Sequence, residues 1–289
     1  MNTIGVSPAF VISKYGDHFT IHDYSNAVPV VKRLGFKAIQ LEIYSKERLK
    51  EWESGADLLA RTIKDEGLYI SQFVAHLLMV LFIENRINKD EIIETFKRVN
   101  GVAEKFPMER IITVPVGTLN KNLNIARGST VYKDLQRQME ETVRIMCETA
   151  QSSGFRVALE ILPGSLVGGV NGFTAMLKRL EMNNLGINLD TGHANVSETN
   201  VETLPLVLKE RIFGTHLSDN DGRDNLSLRP GKGSIDWKVF LGNLKRADYT
   251  GSLDIEIHCR AEEAEFEYSS AYGYIRKLFE EEELYGKQR

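Results

Sequence analysis

The chain has 289 residues, a formal net charge of −4 and 26% charged residues, a balance that gives no support to nucleic-acid binding through a basic surface. Its hydrophobic content of 42% is enough for a large core, and no apolar run approaches the ~20 residues that span a bilayer. The two cysteines form no Cys-x-x-Cys pair, so a disulfide framework is not expected.

The N-terminal sequence lacks the basic stretch of a secretory signal, and with so few cysteines the chain reads as cytoplasmic. The first predicted strand is TIGVSPAFV (3–11). A helical pattern at 24–35, with Val28, Val31 and Leu34 on one face, leads to strand 2, KAIQLEI (37–43). The next helix, 46–67, closes on Gly67, the residue type that ends helices most easily. Strands 3 and 4 are LYISQFVA (68–75) and RIITVPV (110–116). The apolar stretch 77–88 between them reads as a lid or a subunit contact, which leaves a homo-oligomer open. A helix at 131–154 precedes strand 5, RVALEIL (156–162), and one at 171–180 precedes strand 6, LGINLD (185–190). Strand 7 is IFGTHLS (212–218), followed by a helix at 235–247. Strand 8 is SLDIEIH (252–258), followed by a helix at 270–282.

Eight strands alternating with helices predict an α/β protein of the (β/α)₈ TIM-barrel class, one domain over 1–289. The strands are continuous apolar runs, as strands covered on both faces must be. The competing reading is an open doubly wound sheet, but no G-x-G-x-x-G follows the first strand.

In such a barrel the chemistry sits at the C-terminal ends of the strands. Glu42, Glu160, Asp190, His216 and Glu256 lie at or near those ends, and strand 3 runs into His76. A buried charge costs several kcal/mol unless it is paired or binds a metal. Glu160, Asp190, His216 and Glu256 would crowd three carboxylates and an imidazole into one mouth. No strand offers a lysine or arginine at the matching point, so one divalent cation is the simplest compensation. The oxygen-rich donor set favours Mn²⁺ first, with Co²⁺, Mg²⁺ or Zn²⁺ as alternatives.

The motifs "ALEI" at Glu160, "LDTGH" at Asp190 and His193, "HLSDNDG" from His216, "PGKGSIDW" from Pro230 and "LDIEI" at Glu256 resemble the xylose-isomerase-like barrel superfamily. The resemblance is to its sugar (phosphate) isomerase/epimerase branch, which includes ketose 3-epimerases, hydroxypyruvate isomerase and inosose-processing enzymes; apurinic-site endonucleases are distant relatives. Each motif alone is weak, whereas their order and spacing together are specific. The resemblance implies one divalent ion on Glu160, Asp190, His216 and Glu256. It also implies a small sugar as partner, without nucleic acid or membrane, and proton transfer by Glu160 and Glu256 through an ene-diolate. It further implies that His193 reaches substrate oxygen; the alternative is a histidine capping the next helix. His76, Glu42 and His258 are candidate substrate contacts, each with a structural alternative. His258 is assigned to the strand face that carries Glu256, because residues i and i+2 point the same way.

Some relatives carry a second histidine in the loop after strand 7, where this chain has Ser227 within "DNLSLRPGKG". Serine is a poor zinc ligand, which argues against a multinuclear zinc phosphodiesterase. Asp219 and Asp221 are candidates to orient His216. The resemblance implies that Arg223 or Arg229 grips sugar hydroxyls; "PGKG" with these arginines and Lys232 is also a candidate phosphate site, although a Gly-rich turn feeding the helix at Ile235 is the favoured reading. The reaction class implied is isomerisation or epimerisation. An inosose-type dehydratase on the same site, an endonuclease and a non-catalytic sugar-binding barrel are the rivals.

Overall fold

The computed structural model describes residues 2–79, 87–198 and 200–286. Eight parallel strands close a barrel in chain order: β1 (Ile4–Val6), β2 (Ala38–Glu42), β3 (Tyr69–Val74), β4 (Ile111–Val116), β5 (Arg156–Ile161), β6 (Leu185–Asp190), β7 (Ile212–Leu217) and β8 (Leu253–Ile255). β8 pairs with β1, so no edge is left open. Around them run α1 (Ala9–Tyr15), α2 (Ile21–Arg33), α3 (Leu49–Asp65), α4 (Lys89–Ala103), α5 (Thr130–Ser152), α6 (Gly169–Leu180), α7 (Thr191–Ser197), α8 (Leu204–Leu208), α9 (Trp237–Arg246) and α10 (Ala264–Gly286). This is the (β/α)₈ TIM barrel that the alternation of runs predicts.

Local sequence sets the helix ends. Thr20 and Asp23 form a reciprocal capping box at the start of α2. Trp52, Ala56, Leu59 and Ile63 recur at helical spacing and bury the inner face of α3. That helix stops where Gly67 takes φ +64°. The Gly67 and Leu68 N–H groups then bond back to Lys64 and Ile63, satisfying carbonyls that the helix leaves open.

The structure differs from the sequence prediction at strand 1, at strand 8 and in α4, α7 and α8, helices that the prediction does not contain. Strand 1 is expected over 3–11, yet β1 ends at Val6 and Ala9–Tyr15 is helical. Pro8 is the cause: it has no N–H to continue the ladder, and its φ of −57° suits a helix start. Phe10 thereby packs edge-on against Tyr268 of α10 at 5.0 Å. Strand 8 is expected to reach His258, but β8 ends at Ile255, so His258 is not on a strand face with Glu256. Its N–H turns to the Ser227 carbonyl at 3.1 Å. Helix α4 is not among the predicted elements, although Asn88 caps it and Ile92, Phe96 and Val99 are buried on one face. Of the stretch 77–88, residues 80–86 lie outside the described residues; Leu77 and Leu78 are buried. Among the described residues, no helix is long and apolar enough to cross a membrane.

The layer between strands and helices is apolar, and includes Phe36, Trp52, Phe73, Phe96, Phe155 and Trp237. Inside the barrel the filling is polar. Gln40, Ser71, Gln72, Asn188 and Asp254 are all buried there, and buried polar groups must find partners. Gln72 donates to Asn188 Oδ1 at 2.9 Å, and Gln40 donates to Asp254 Oδ2 at 2.8 Å.

Candidate metal centre and active site

Each site residue is delivered by a strand end. Glu160 sits in β5 opposite Pro115 of β4, and Asp190 ends β6 opposite His216 of β7. Glu256 follows β8 directly, and its N–H is tied to the Leu217 carbonyl at 3.0 Å. Asp190 has two tasks. Its Oδ1 accepts the His193 N–H at 2.8 Å and caps α7. Its Oδ2 faces the barrel mouth, 4.0 Å from His216 Nδ1. A strand passing directly into a helix therefore fixes this carboxylate by capping.

One ligand atom from each of Glu160, Asp190, His216 and Glu256 lies within 4.8 Å of the others. His216 Nδ1 is 2.8 Å from Glu160 Oε1 and 2.6 Å from Glu256 Oε2. A single nitrogen can direct at most one proton, and Glu256 Oε2 is left buried without a hydrogen bond. The opposite ring nitrogen, Nε2, lies 2.8 Å from Gln40 Oε1. Two carboxylate oxygens crowded on one imidazole nitrogen, with a third carboxylate nearby, fit a divalent cation well.

The electrostatics reflect this crowding. Burial raises the Asp190 carboxyl to about 6. Burial also opposes ionisation of Glu256, but the neighbouring His216 outweighs it and brings Glu256 to about 2. His216 is lowered by burial and raised more strongly by Glu256 and Glu160, ending well above its ordinary value. Glu42 is driven well above the carboxylate range by burial, then by Glu256 and Glu160.

Glu160, His216 and Glu256 open on a cavity of about 380 Å³, which Glu42, His76, His193 and His258 also line; Asp190 lines an adjoining cavity of about 400 Å³, which it shares with His193. His193 Nε2 lies 3.8 Å from Glu160 Oε1 and 3.7 Å from Asp190 Oδ2, while its Nδ1 is buried without a partner. His76 stacks on Tyr44 at 4.2 Å, with its Nδ1 at 3.2 Å from the Tyr44 carbonyl oxygen. Burial lowers its pKa, favouring the neutral ring. Glu42 Oε2 is buried and unpartnered. Ser227 and Met79 complete part of the wall.

Other candidates fall elsewhere. Arg229 Nε pairs with Glu267 of α10 at 2.9 Å, and Arg223 is exposed in the loop; neither lines this cavity. Asp219 does not touch His216. It is buried and accepts the Gly231 N–H at 2.9 Å and the Trp237 indole N–H at 2.8 Å, which holds the "PGKG" turn. Asp221 turns its carboxylate to the Arg223 and Asp224 N–H groups. A larger depression, about 520 Å³, lies at the other end of the barrel among Glu109, Arg156 and Arg246. Among the described residues, no cluster of metal-ligating groups lies there.

Gln40 and Asp254 are absent from the sequence-derived candidates. A signal exists: each is a polar residue two positions before a site glutamate, on the same face of an otherwise apolar strand.

Fold and site together define a (β/α)₈ barrel with a cluster of candidate metal-ligating residues at the C-terminal mouth. The chain belongs to the xylose isomerase-like TIM barrel family, whose pattern matches residues 28–278. It is 23% identical over 188 residues to the inosose isomerase of Bacillus subtilis (strain 168), a match covering 62% of this chain and 65% of the relative. The structure of an L-ribulose 3-epimerase superposes with a TM-score of 0.77 at 16% identity, covering 98% of both chains. The IOLI protein with a bound zinc atom superposes with a TM-score of 0.75 at 18% identity, covering 96% of this chain and 99% of that one.

Proposed function

We propose that this protein is a divalent-metal-dependent isomerase or epimerase of a small sugar or sugar-like carbonyl compound. The observation that carries the reading is the convergence of Glu160, Asp190, His216 and Glu256 within 4.8 Å at the barrel mouth. Relatives named inosose isomerase and L-ribulose 3-epimerase support the substrate class, and a relative with bound zinc supports a divalent ion. Three oxygen donors and one nitrogen favour Mn²⁺, with Co²⁺, Mg²⁺ and Zn²⁺ next. The four residues would hold one ion. Bound there, it would polarise a substrate carbonyl and stabilise charge developing on that oxygen.

The protein's own groups would move the proton. Glu160 and Glu256 stand three strands apart around the mouth, so they can address different sides of a substrate. Glu256 is a carboxylate at the mouth, and an ionised carboxylate beside the substrate carbon can accept a proton. One glutamate takes the hydrogen next to the carbonyl, and the other returns one to the far face, which inverts the carbon. Return to the neighbouring carbon gives isomerisation. His193, His76 and Glu42 each present a group to the cavity and would orient hydroxyls. Ser227 in the wall adds no strong zinc ligand, which disfavours a phosphodiesterase. Two free cysteines fit a reducing cytoplasm.

The test is a panel of four- to six-carbon ketoses and inososes, with and without phosphate, offered to metal-loaded and chelated protein. Metal-dependent conversion between isomers or epimers supports the reading. Net loss of water points to a dehydratase, and cleavage of abasic DNA without sugar turnover to an endonuclease.

A further inference from the structure

His216 presents Nδ1 to the other three ligating residues and Nε2 to the barrel interior, where Gln40 Oε1 meets it at 2.8 Å. Gln40 turns its amide nitrogen the other way, donating to Asp254 Oδ2 at 2.8 Å. Asp254 also accepts from Ser71 at 2.9 Å, and on Oδ1 from Ser252 at 2.7 Å. Gln40 and Asp254 are fully buried. Space for the carboxylate is reserved by Gly5, where a Cβ would stand 2.1 Å from Asp254 Oδ1.

The direction of this chain follows from donor chemistry. Asp254 receives three donors, from Gln40, Ser71 and Ser252, so it acts as an acceptor and the Gln40 amide points its NH₂ at it. Its carbonyl must then face His216, and a carbonyl also only accepts. His216 Nε2 therefore carries the hydrogen. In the neutral ring this leaves the lone pair on Nδ1, the atom 2.8 Å from Glu160 Oε1. A reversed amide would oppose its NH₂ to that N–H.

We propose that Asp254, acting through Gln40, sets the imidazole tautomer that frees His216 Nδ1 for the metal, making both of them positioning residues. The inference rests on the metal reading above. Partners of this kind are worth ~10–100-fold in metal affinity.

Three measurements on the full chain test it. Long-range ¹H–¹⁵N spectra of the wild-type protein loaded with Zn²⁺ should show the His216 proton on Nε2; a proton on Nδ1 overturns the proposal. Asp254→Asn removes no heavy atom, yet it gives residue 254 its own NH₂ and permits the reversed amide. Its affinity for Mn²⁺ should fall ~10–100-fold by calorimetry, with thermal melting confirming a folded protein. The double variant Gln40→Glu with Asp254→Asn restores the order of donors, since a carboxylate at position 40 accepts from both sides, and should recover the affinity. If wild type binds Mn²⁺ and folded Asp254→Asn binds it equally well, this proposal fails and the metal reading stands. If wild type binds no divalent ion, both fail. If Asp254→Asn does not fold, the wild-type spectrum decides.

Discussion

The Nδ1 atom of His216 lies 2.6 Å from Oε2 of Glu256. In the metal-free protein, burial lowers the His216 pKa, while Glu256 and Glu160 raise it well above the ordinary value. A raised histidine stabilises the fold fully below its unfolded pKa, about 6.5. That contribution is lost as pH rises through the folded value. A metal needs the same atom deprotonated. Binding should therefore release about one proton per ion near neutrality, and affinity should rise with pH. Calorimetry in buffers of different ionisation heats measures this directly. An observed heat independent of buffer would contradict it.

Glu42 gives a prediction of the same sign from a different cause. Burial, then the charges of Glu256 and Glu160, push its carboxyl well above the usual range. The protonated form thus contributes stability below the unfolded pKa of about 4.3, and the contribution is lost as pH rises through the raised value. Glu42→Gln keeps the shape and cannot ionise. In chelated protein, its melting temperature relative to wild type should climb as pH is raised from the acid side. A constant difference across the range would show that Glu42 is not held neutral.

Asp219 anchors the loop after β7 by accepting N–H groups from Gly231, Ile235 and the Trp237 indole. Asp219→Ala would orphan several buried donors and should cost about 3 kcal/mol, read as a lower denaturant midpoint. Loss of less than about 1 kcal/mol would mean the turn is held by other contacts.

How far the sequence reveals this molecule depends on which force shapes each part. β6 runs over the predicted residues, Leu185 to Asp190, because a strand covered on both faces leaves an uninterrupted apolar run. The site candidates at strand ends are legible for a related reason. Once strands are parallel and closed, Glu160, Asp190, His216 and Glu256 must share one mouth. Apolar content alone carries the strand-1 prediction past Pro8, where backbone chemistry ends the ladder. Loop side chains are not legible. Arg229 turns to Glu267 on a helix 38 residues later, a choice made by tertiary packing. Gln40 and Asp254 escape a sequence reading because their partners lie across the barrel rather than nearby in sequence.

The two glutamates can be separated from passive ligands. Glu160→Gln and Glu256→Gln each keep an oxygen donor but cannot accept a proton near neutrality. With metal in excess, each should lose general acid–base catalysis, ~10²–10⁴-fold in turnover. If one variant still exchanges substrate hydrogen with D₂O while net conversion stops, the two serve different faces. Near-normal turnover in both would transfer the proton role elsewhere, with His193 first to test.

The most direct test of the account is metal content. After dialysis against Mn²⁺ and removal of free ion, elemental analysis should find about one divalent ion per wild-type chain and far less in Asp190→Ala, whose lost carboxylate is one of four ligating groups. An equal content in the two proteins, or none in wild type, would contradict a metal centre at Glu160, Asp190, His216 and Glu256.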